Sequence, residues 1–413
     1  MSFIQRLHHV LQIISYKYQL TNQHSHSHTH PHILLTHKHL TLLHQLLLLL
    51  LLLHISMPSL SDHFEFNSVH EVPDSHAWPS LHDYPSTEPL GHDSIPIIDL
   101  NKSSSDTIKQ IKQACERWGV FRVTGHGVPS DLLDQLELQT CRLFSLPSRQ
   151  KLKAARLPDG VSGYGLARIS PFFSKLMWYE GFTISGSPLG HARKLWPHDY
   201  SEFCETIDRY NKEMKKLAER VMHLMLQSLG LHENDLDWAG PVKDLQEVSG
   251  VLQLNSYPSC PDPDRAMGLA AHTDSSLLTI LHQNSTSGLQ VLRAQDIYGP
   301  ARWVTVPPLP GALVMNIGDL SHILSNGRFH SVLHRAVVNR ARHRYSMAYI
   351  CGPPAHAKVS PLRPLSGRPV FRAVTWPEYL GLKGKLFNQA LASIRVSDET
   401  WEDHNNASVI TCV

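Results

Sequence analysis

Three residues in the second half of the chain have the types and the spacing of a metal-binding site. His272 and Asp274 are two positions apart, and 59 further residues separate Asp274 from His334. On a β-strand, positions i and i+2 point to the same face, so this pair could reach one ion. Two imidazoles and one carboxylate are the ligand set of non-haem iron(II) oxygenases. Zinc accepts the same ligands, so the three residues alone leave the metal open.

A cation and a hydroxyl group follow the last of these ligands. Arg344 lies ten residues after His334, and the order Arg-Tyr-Ser places Arg344 and Ser346 on one face of a strand. A dicarboxylate that chelates iron through its keto-acid end needs a fixed positive charge for its far carboxylate. A bidentate guanidinium meets that need, and a hydroxyl adds a further hydrogen bond. We therefore interpret these residues together as an oxygenase site for iron(II) and 2-oxoglutarate.

The residues of this site fall among short strand-like runs that fill the second half of the chain. Turn residues such as Pro307-Pro308 and Asn326-Gly327 separate the runs. Many short strands at nearly regular spacing favour a sandwich or barrel, and a jelly roll is one way to close its edges. The predicted strands are 251–257, 277–282, 288–293, 303–306, 312–317, 331–339 and 345–351.

The first half of the chain has mainly helical spacing, so the sequence predicts an α+β protein. Apolar residues three to four positions apart predict helices, whereas two short alternating runs predict strands. A last helix begins at Thr375, with Glu378 three residues on as in a capping box, and runs to about Ile394. The predicted helices before it are 106–118, 131–144 and 202–229, and the two strands are 95–100 and 119–124.

The beginning of the chain has a composition unlike the rest. Residues 1–56 contain no Asp or Glu, eight consecutive leucines at 46–53, and an alternating His-rich run from His24. A membrane span needs about 20 apolar residues, the apolar part of a secretory signal lies near the first residue, and a transit peptide needs more arginine than the single Arg6. His-rich tracts can bind metal. We interpret the segment instead as translated upstream sequence, disordered if it is made, with the true start at Met57.

Charge and cysteine content exclude several classes of protein. The formal net charge is +2, which provides no electrostatic footprint for nucleic acid or an anionic membrane. The six cysteines include no CxxC pair, so reduced thiols in a reducing compartment are expected. We expect a monomer that is located in the cytoplasm and also in the nucleus.

The order of these motifs, together with Asn255-x-Tyr257-Pro258 and His334-Arg335-Ala336, resembles plant 2-oxoglutarate-dependent dioxygenases over residues 57–396. The resemblance implies a double-stranded β-helix (jelly-roll) core with surrounding helices. It implies O2 as co-substrate, ascorbate as reductant, and Arg344 as a catalytic residue that holds 2-oxoglutarate. The implied ligands are His272, Asp274 and His334 for iron, and Tyr257, Arg344 and Ser346 for 2-oxoglutarate. The implied segments are an arm at 57–94, a helical region at 95–247, the catalytic core at 248–352, and a helix and tail at 353–413.

One stretch narrows the resemblance to gibberellin 3-beta-hydroxylases. It includes Gly160–Ile169, Phe172-Phe173, Met177–Ile184 and Gly186-Ser187-Pro188. The resemblance implies 3β-hydroxylation of C19 gibberellins to the bioactive hormones. A rigid diterpenoid acid needs an apolar pocket with a cation, for which we expect Phe173, Trp178 and Arg168 or Lys175.

Two alternatives remain open at this point. The same chemistry could act on another gibberellin position or on a flavonoid-type substrate. A non-catalytic metal-binding jelly-roll protein is the second alternative, but it would not need Arg344 and Ser346 beside the metal.

Overall fold

A computed structural model describes residues 64–79, 81, 86–87, 94–231, 249–295, 299–362, 365 and 368–396. The helices and strands that it describes lie in the unit Glu65–Val413. The predictions for residues 1–56, including a start at Met57, lie outside the described residues. So do much of the predicted arm at 57–94 and the tail beyond residue 396.

Short strands form two large sheets and one small one. The strands are β1 (Ser86–Thr87), β2 (Ile97–Asp99), β3 (Val120–Thr124), β4 (Gly163–Gly165), β5 (Glu180–Ser185), β6 (Ser249–Tyr257), β7 (Met267–His272), β8 (Leu278–Gln283), β9 (Leu289–Arg293), β10 (Arg302–Thr305), β11 (Leu313–Ile317), β12 (His334–Val337), β13 (Arg344–Gly352), β14 (Lys358–Val359) and β15 (Val374–Thr375). The larger sheet has the order β2-β3-β11-β8-β13-β6-β5-β4, the smaller has the order β1-β10-β9-β12-β7, and β14 pairs with β15. All pairings between these strands are antiparallel except β2 with β3 and β1 with β10.

Alternation of side chains along these strands builds two separate cores. In β3, Val120 packs in a small core that also contains Val291 of β9 and Val304 of β10, so this core lies between the two large sheets. Phe121 and Val123 of the same strand point the other way, into a larger core shared with the helices. Two packed, mainly antiparallel sheets with helices on one outer face are the predicted jelly-roll core.

Helices cover the outer face of the larger sheet. The longest buries one stripe of apolar residues, among them Phe203, Met214 and Val221, as its amphipathic spacing predicts. Among the described residues, no helix combines the length and the apolar character needed to cross a membrane. The α-helices are α1 (Ser104–Arg117), α2 (Ser130–Phe144), α3 (Ser148–Lys151), α4 (Leu189–Leu195), α5 (Ser201–Ser228), α6 (Asp319–Leu324) and α7 (Trp376–Leu386), and short 3-10 helices occupy Phe66–Ser68, Leu152–Ala154, Ser170–Phe172, Pro263–Arg265, Phe387–Gln389 and Ala392–Ile394.

The predicted C-terminal helix begins as expected but ends early. Thr375 and Glu378 form the predicted capping box at the start of α7. The prediction that the helix continues to about Ile394 is wrong, because Phe387 has a φ of 50° and ends α7 at Leu386. A positive φ is unfavourable for a bulky residue and cannot continue an α-helix.

The sequence also underestimates the number of strands in the first half. Besides the two expected strands, β4 and β5 join the edge of the larger sheet. Residues 180–184 of β5 are all buried. The run Phe182-Thr183-Ile184-Ser185 alternates apolar and polar residues, a strand pattern that the sequence-based prediction does not include. Asp274 also departs from expectation, because β7 ends at His272 and Asp274 lies in the following loop.

Candidate active site

Two paired strands bring the three predicted metal ligands together. His334 is the first residue of β12 and lies opposite His272, the last residue of β7. Asp274 Oδ1 is 3.8 Å from His272 Nε2 and 3.7 Å from His334 Nε2. One ligand atom from each of the three side chains lies within 4.8 Å of the others, so one ion can contact all three.

Hydrogen bonds determine which nitrogen of each imidazole faces that shared point. His272 Nδ1 lies 2.8 Å from the carbonyl oxygen of Ala270, and His334 Nδ1 lies 3.1 Å from that of Val332. A carbonyl only accepts, so each Nδ1 carries the hydrogen and each Nε2 presents its lone pair towards Asp274. This is the tautomer that metal coordination requires, and a backbone carbonyl is a common partner for the far nitrogen of a metal-bound histidine.

The protonation states of the cluster suit a divalent cation. Burial, and then the neighbouring His334, lower the pKa of His272 to about 3, so this imidazole is neutral at pH 7. Burial alone would raise the pKa of Asp274, but its two imidazole neighbours hold that pKa below its usual value. Asp274 Oδ2 is buried and has no hydrogen-bond partner among the described residues. An ionised, buried carboxylate with an orphaned oxygen is costly unless a cation compensates it.

A buried guanidinium lies at the start of β13. Arg344 is 2% exposed, and its Cζ lies 5.0 Å from the ring centroid of Tyr257, its cross-strand partner on β6. Ser346 is next on the same face, where Asn255 Nδ2 donates to its hydroxyl at 3.3 Å. Arg344 Nη2 donates to Gln283 Oε1 at 2.8 Å. The face that carries Arg344 therefore consists of neutral polar groups.

This guanidinium lacks an anionic partner within the described part of the chain. Its Nε is buried without a hydrogen bond, and its electrostatic neighbour is the hydroxyl of Tyr257. Burial lowers the pKa of Arg344, and Tyr257 opposes that shift. Burial raises the pKa of Tyr257, while Arg344 and a hydrogen bond with Ser346 oppose it. A buried cation without a counter-charge favours binding of an anion with a planar carboxylate.

The four predicted substrate residues do not form one cluster. Trp178 is fully buried in the core, and its Nε1 donates to the carbonyl of Pro258 at 3.1 Å. Arg168 is exposed and donates to the carbonyls of Gly160 and Val161, at 3.0 and 3.2 Å. The ammonium of Lys175 donates to the carbonyl of Asp74 at 2.7 Å, and Phe173 lies among other aromatic rings.

Those rings form a cluster that the sequence did not predict in full, because it includes Phe387 from the end of α7. Phe387 stacks on Phe172 with centroids 4.7 Å apart, and it meets Phe173 edge-on at 5.6 Å. The ring of Trp78 lies 5.2 Å from that of Phe173. Phe172 remains 36% exposed, so the cluster presents apolar surface to its surroundings.

The aromatic cluster lies beside the metal-binding strand. Four residues after Phe173, the sulfur of Met177 accepts a hydrogen bond from the backbone N–H of Ala270, in β7, at 3.4 Å. Four residues before Phe387, Lys383 donates to Thr273, between two of the metal ligands, at 3.0 Å. The segment that follows Phe173 and the segment that precedes Phe387 therefore both form hydrogen bonds with residues within two positions of His272.

Asp319 is a further residue that the sequence analysis missed. The sequence-based prediction assigns no role to this residue, whereas in the structure it begins α6 and is completely buried. Gly318 allows this close approach, because a Cβ there would lie 2.0 Å from the carbonyl oxygen of Ser276. The Asp319 backbone N–H donates to the carbonyl of Asp274 at 2.8 Å, so the start of α6 rests directly on the metal-binding loop.

Two family models match this chain. Residues 248–353, which contain the metal cluster and Arg344, match the 2OG-Fe(II) oxygenase superfamily. Residues 95–200 match the N-terminal region described as that of the non-haem dioxygenase in morphine synthesis. Together the two models account for about half of the chain and include every proposed metal ligand.

Curated plant proteins are similar over most of the chain. Gibberellin 3-beta-dioxygenase 1 of Pisum sativum is 52% identical over 360 residues, which is 82% of this chain and 94% of the pea protein. Gibberellin 3-beta-dioxygenase 2 of Arabidopsis thaliana is 50% identical over 350 residues, covering 82% of this chain and 99% of that protein.

Solved structures share the fold at lower identity. The crystal structure of JOX2 in complex with 2OG, Fe and JA has a TM-score of 0.69 at 29% identity, and the match covers 82% of this chain and 97% of that one. The rice dioxygenase for auxin oxidation has a TM-score of 0.59, also at 29% identity, with 73% of this chain and 100% of that one covered.

Proposed function

This chain belongs to the gibberellin 3-beta-dioxygenase family of the 2OG-Fe(II) oxygenase superfamily, and we propose from that premise which of its residues carry the reaction. It is an Fe(II)- and 2-oxoglutarate-dependent enzyme that hydroxylates C19 gibberellins at the 3β position. Its substrate is a small molecule, a diterpenoid acid. Monomeric state, cytoplasmic or nuclear location and the use of ascorbate as reductant stay predictions.

The metal site is proposed to consist of His272, Asp274 and His334. The observation that carries this proposal is the convergence of two Nε2 lone pairs and a carboxylate on one point. Histidine binds a metal as the neutral imidazole, so Asp274 would be the single anion among the three ligands of iron(II). A metal bound by these three ligands keeps open coordination positions for a co-substrate and for O2.

We assign 2-oxoglutarate to the buried face that carries Arg344, Ser346 and Tyr257. Arg344 would hold the far carboxylate, because its guanidinium is buried and lacks an anionic partner among the described residues. Ser346 and Tyr257 would each add a hydroxyl group. Arg344 is therefore catalytic in the sense that it fixes the co-substrate relative to the metal.

The chain's own groups orient the reactants and keep water out. Iron(II) with bound 2-oxoglutarate and O2 supplies the oxidation, in which 2-oxoglutarate becomes succinate and CO2 and a C–H bond at position 3 becomes C–OH. The backbone carbonyls of Ala270 and Val332 keep the two imidazoles in the coordinating tautomer. Val291 of β9 pairs with His334 and is completely buried in the core between the two large sheets, which keeps water away from that histidine.

The substrate is proposed to lie against the aromatic cluster of Phe172, Phe173 and Phe387. This cluster presents apolar surface and lies beside the chain that carries His272. A rigid, largely apolar tetracyclic acid is matched by such a surface. Arg168 is a candidate for its carboxylate, since it is exposed and its partners are neutral carbonyls.

Product identification tests this function. The full chain, supplied with iron(II), ascorbate, 2-oxoglutarate and a C19 gibberellin, is expected to form the 3β-hydroxylated gibberellin, identified by mass spectrometry. A His334→Ala variant should form none, whereas the exposed His330→Ala serves as a matched control with full activity. Hydroxylation at another position or of a flavonoid instead would contradict the substrate, and absence of succinate with every substrate would contradict the enzyme class.

A further inference from the structure

A network of buried polar groups connects the C-terminal helix to the metal-binding loop. Its centre is Asp319, which is completely buried. One of its carboxylate oxygens, Oδ1, accepts a hydrogen bond from Ser331 at 2.6 Å, three residues before His334. The other, Oδ2, accepts from Thr273 at 3.1 Å and from Tyr379 of α7 at 2.8 Å. This carboxylate therefore contacts the residue between His272 and Asp274 and a residue three positions before His334.

Lys383 of α7 completes the network. Its ammonium group lies 3.1 Å from Asp319 Oδ2 and donates to Thr273 twice, to the carbonyl at 3.0 Å and to the hydroxyl at 2.6 Å. An ammonium has three hydrogens, and each has an acceptor here. The Lys383 side chain is 13% exposed, so these bonds form largely away from water, where they are strong.

The network holds a piece of chain that has no regular structure of its own. Thr273 and Asp274 lie beyond the end of β7 and have no strand partner. Their two carbonyl oxygens are bonded to Lys383 Nζ and to the backbone N–H of Asp319. The position of Asp274 relative to the two histidines therefore depends on contacts from α6 and α7.

We propose that Lys383 is a positioning residue for the iron site, acting through Thr273 to fix the loop that presents Asp274. This inference rests on the proposed function, since it assigns a role towards the same metal. Residues behind a metal ligand commonly change metal affinity by about 10- to 100-fold when they are replaced. Lys383 acts one residue away from a ligand, so we expect a loss at the lower end, about tenfold.

Direct titration with iron(II) under anaerobic conditions, without substrate, tests this role. Lys383→Met keeps much of the aliphatic stem but removes all three donors, and it should lower the affinity for iron(II) about tenfold. Asp319 loses its cationic partner in this variant, but its carboxylate stays hydrogen-bonded to the hydroxyls of Ser331, Thr273 and Tyr379. Lys385→Met is the matched control, because Lys385 is exposed on the same helix, and its affinity should equal that of the wild type.

Tyr379→Phe distinguishes the specific effect of Lys383 on the metal-binding loop from the general effect of α7 packing against it. It removes a donor from the same carboxylate but does not touch Thr273, so its iron affinity should stay within about twofold of wild type. An equal loss in Tyr379→Phe and Lys383→Met would overturn the proposal, as would an unchanged affinity in Lys383→Met. If Lys383→Met does not fold, Thr273→Val replaces it. This variant removes the hydroxyl that bonds to Lys383 and Asp319 but leaves the bond from Lys383 to the carbonyl, so the iron affinity should fall less than tenfold, and an unchanged affinity would likewise overturn the proposal.

The same variants show whether a negative result contradicts the role of Lys383 or the proposed enzymatic function. At saturating iron, Lys383→Met should regain most of the wild-type kcat, because the ammonium bonds to Asp319 and Thr273, and the lysine is not among the residues proposed to bind 2-oxoglutarate or the gibberellin. A wild-type protein that binds iron but forms no 3β-hydroxylated product would contradict the proposed function and leave the iron titration valid.

Discussion

Arg344 combines full burial with a charge that no described carboxylate neutralises. Folding has already removed this guanidinium from water, so the cost of its desolvation is met before any ligand arrives. The neighbouring hydroxyls of Tyr257 and Ser346 are likewise in place. An anion that enters therefore meets preorganised donors, which is why we assign the co-substrate here.

Replacement of Arg344 by lysine tests that assignment. Arg344→Lys keeps the positive charge but loses the planar fork that binds a carboxylate through two hydrogen bonds. We expect the KM for 2-oxoglutarate to rise about tenfold or more, since a hydrogen bond to a charged group contributes roughly 1.5–3 kcal/mol. Steady-state succinate formation gives this KM. Arg342→Lys, at an exposed position two residues earlier, is the control, and an unchanged KM in Arg344→Lys would contradict the assignment.

At the scale of elements, the site depends on how two strands and one helix meet. The pairing of β12 with β7 sets the two histidines face to face, and α7 brings Lys383 and Phe387 to the same region. Phe387 has a φ of 50°, an unfavourable conformation for an aromatic residue. Strain of this kind is retained where surrounding contacts outweigh it, and the contacts here are with Phe172 and Phe173.

Truncation of Phe387 tests the role of this aromatic cluster. Phe387→Ala removes its contacts with Phe172 and Phe173, each worth about 0.5–1.5 kcal/mol. We expect the KM for the C19 gibberellin to rise roughly three- to tenfold, while the KM for 2-oxoglutarate stays constant. Leu386→Ala, at a residue that is 41% exposed, provides the control. Equal KM values for the gibberellin in Phe387→Ala and the wild type would show that Phe387 does not contribute to substrate binding.

Long-range contacts also explain which parts of the molecule the sequence could predict. His272 and Asp274 were found because two residues at i and i+2 form a local pattern, and His334 because it lay in a predicted strand. Lys383 and Thr273 are 110 positions apart, and Tyr379 and Asp319 are 60 apart, so their bonds leave no local pattern. The early end of α7 was missed for the same reason, since packing of Phe387 against remote rings accompanies its positive φ.

At the scale of the whole molecule, the fold buries several histidines in their neutral form. Burial lowers the pKa of His76 and of His282 to about 4, and burial followed by Lys151 does the same for His343. In the unfolded chain these imidazoles titrate near 6.5. Between pH 6.5 and 4 the unfolded state therefore binds more protons than the folded state, and acid favours unfolding.

The free energy of unfolding should consequently fall as the pH is lowered from about 6.5 to 4. Each such histidine contributes a slope of at most about 1.4 kcal/mol per pH unit. Urea unfolding of the metal-free protein at a series of pH values measures this dependence. His343→Gln should give a shallower slope over the same window, because one titrating imidazole is absent. Identical slopes for the variant and the wild type would show that His343 does not titrate as described.

We propose that iron held by His272, Asp274 and His334 couples 2-oxoglutarate oxidation to hydroxylation of a C19 gibberellin at the 3β position. Succinate and the hydroxylated gibberellin, quantified together in one reaction of the full chain, test it most directly. The wild type should form one succinate for each 3β-hydroxylated gibberellin, and Asp274→Ala should form neither product. Gibberellin hydroxylation without succinate, or undiminished succinate in Asp274→Ala, would contradict it.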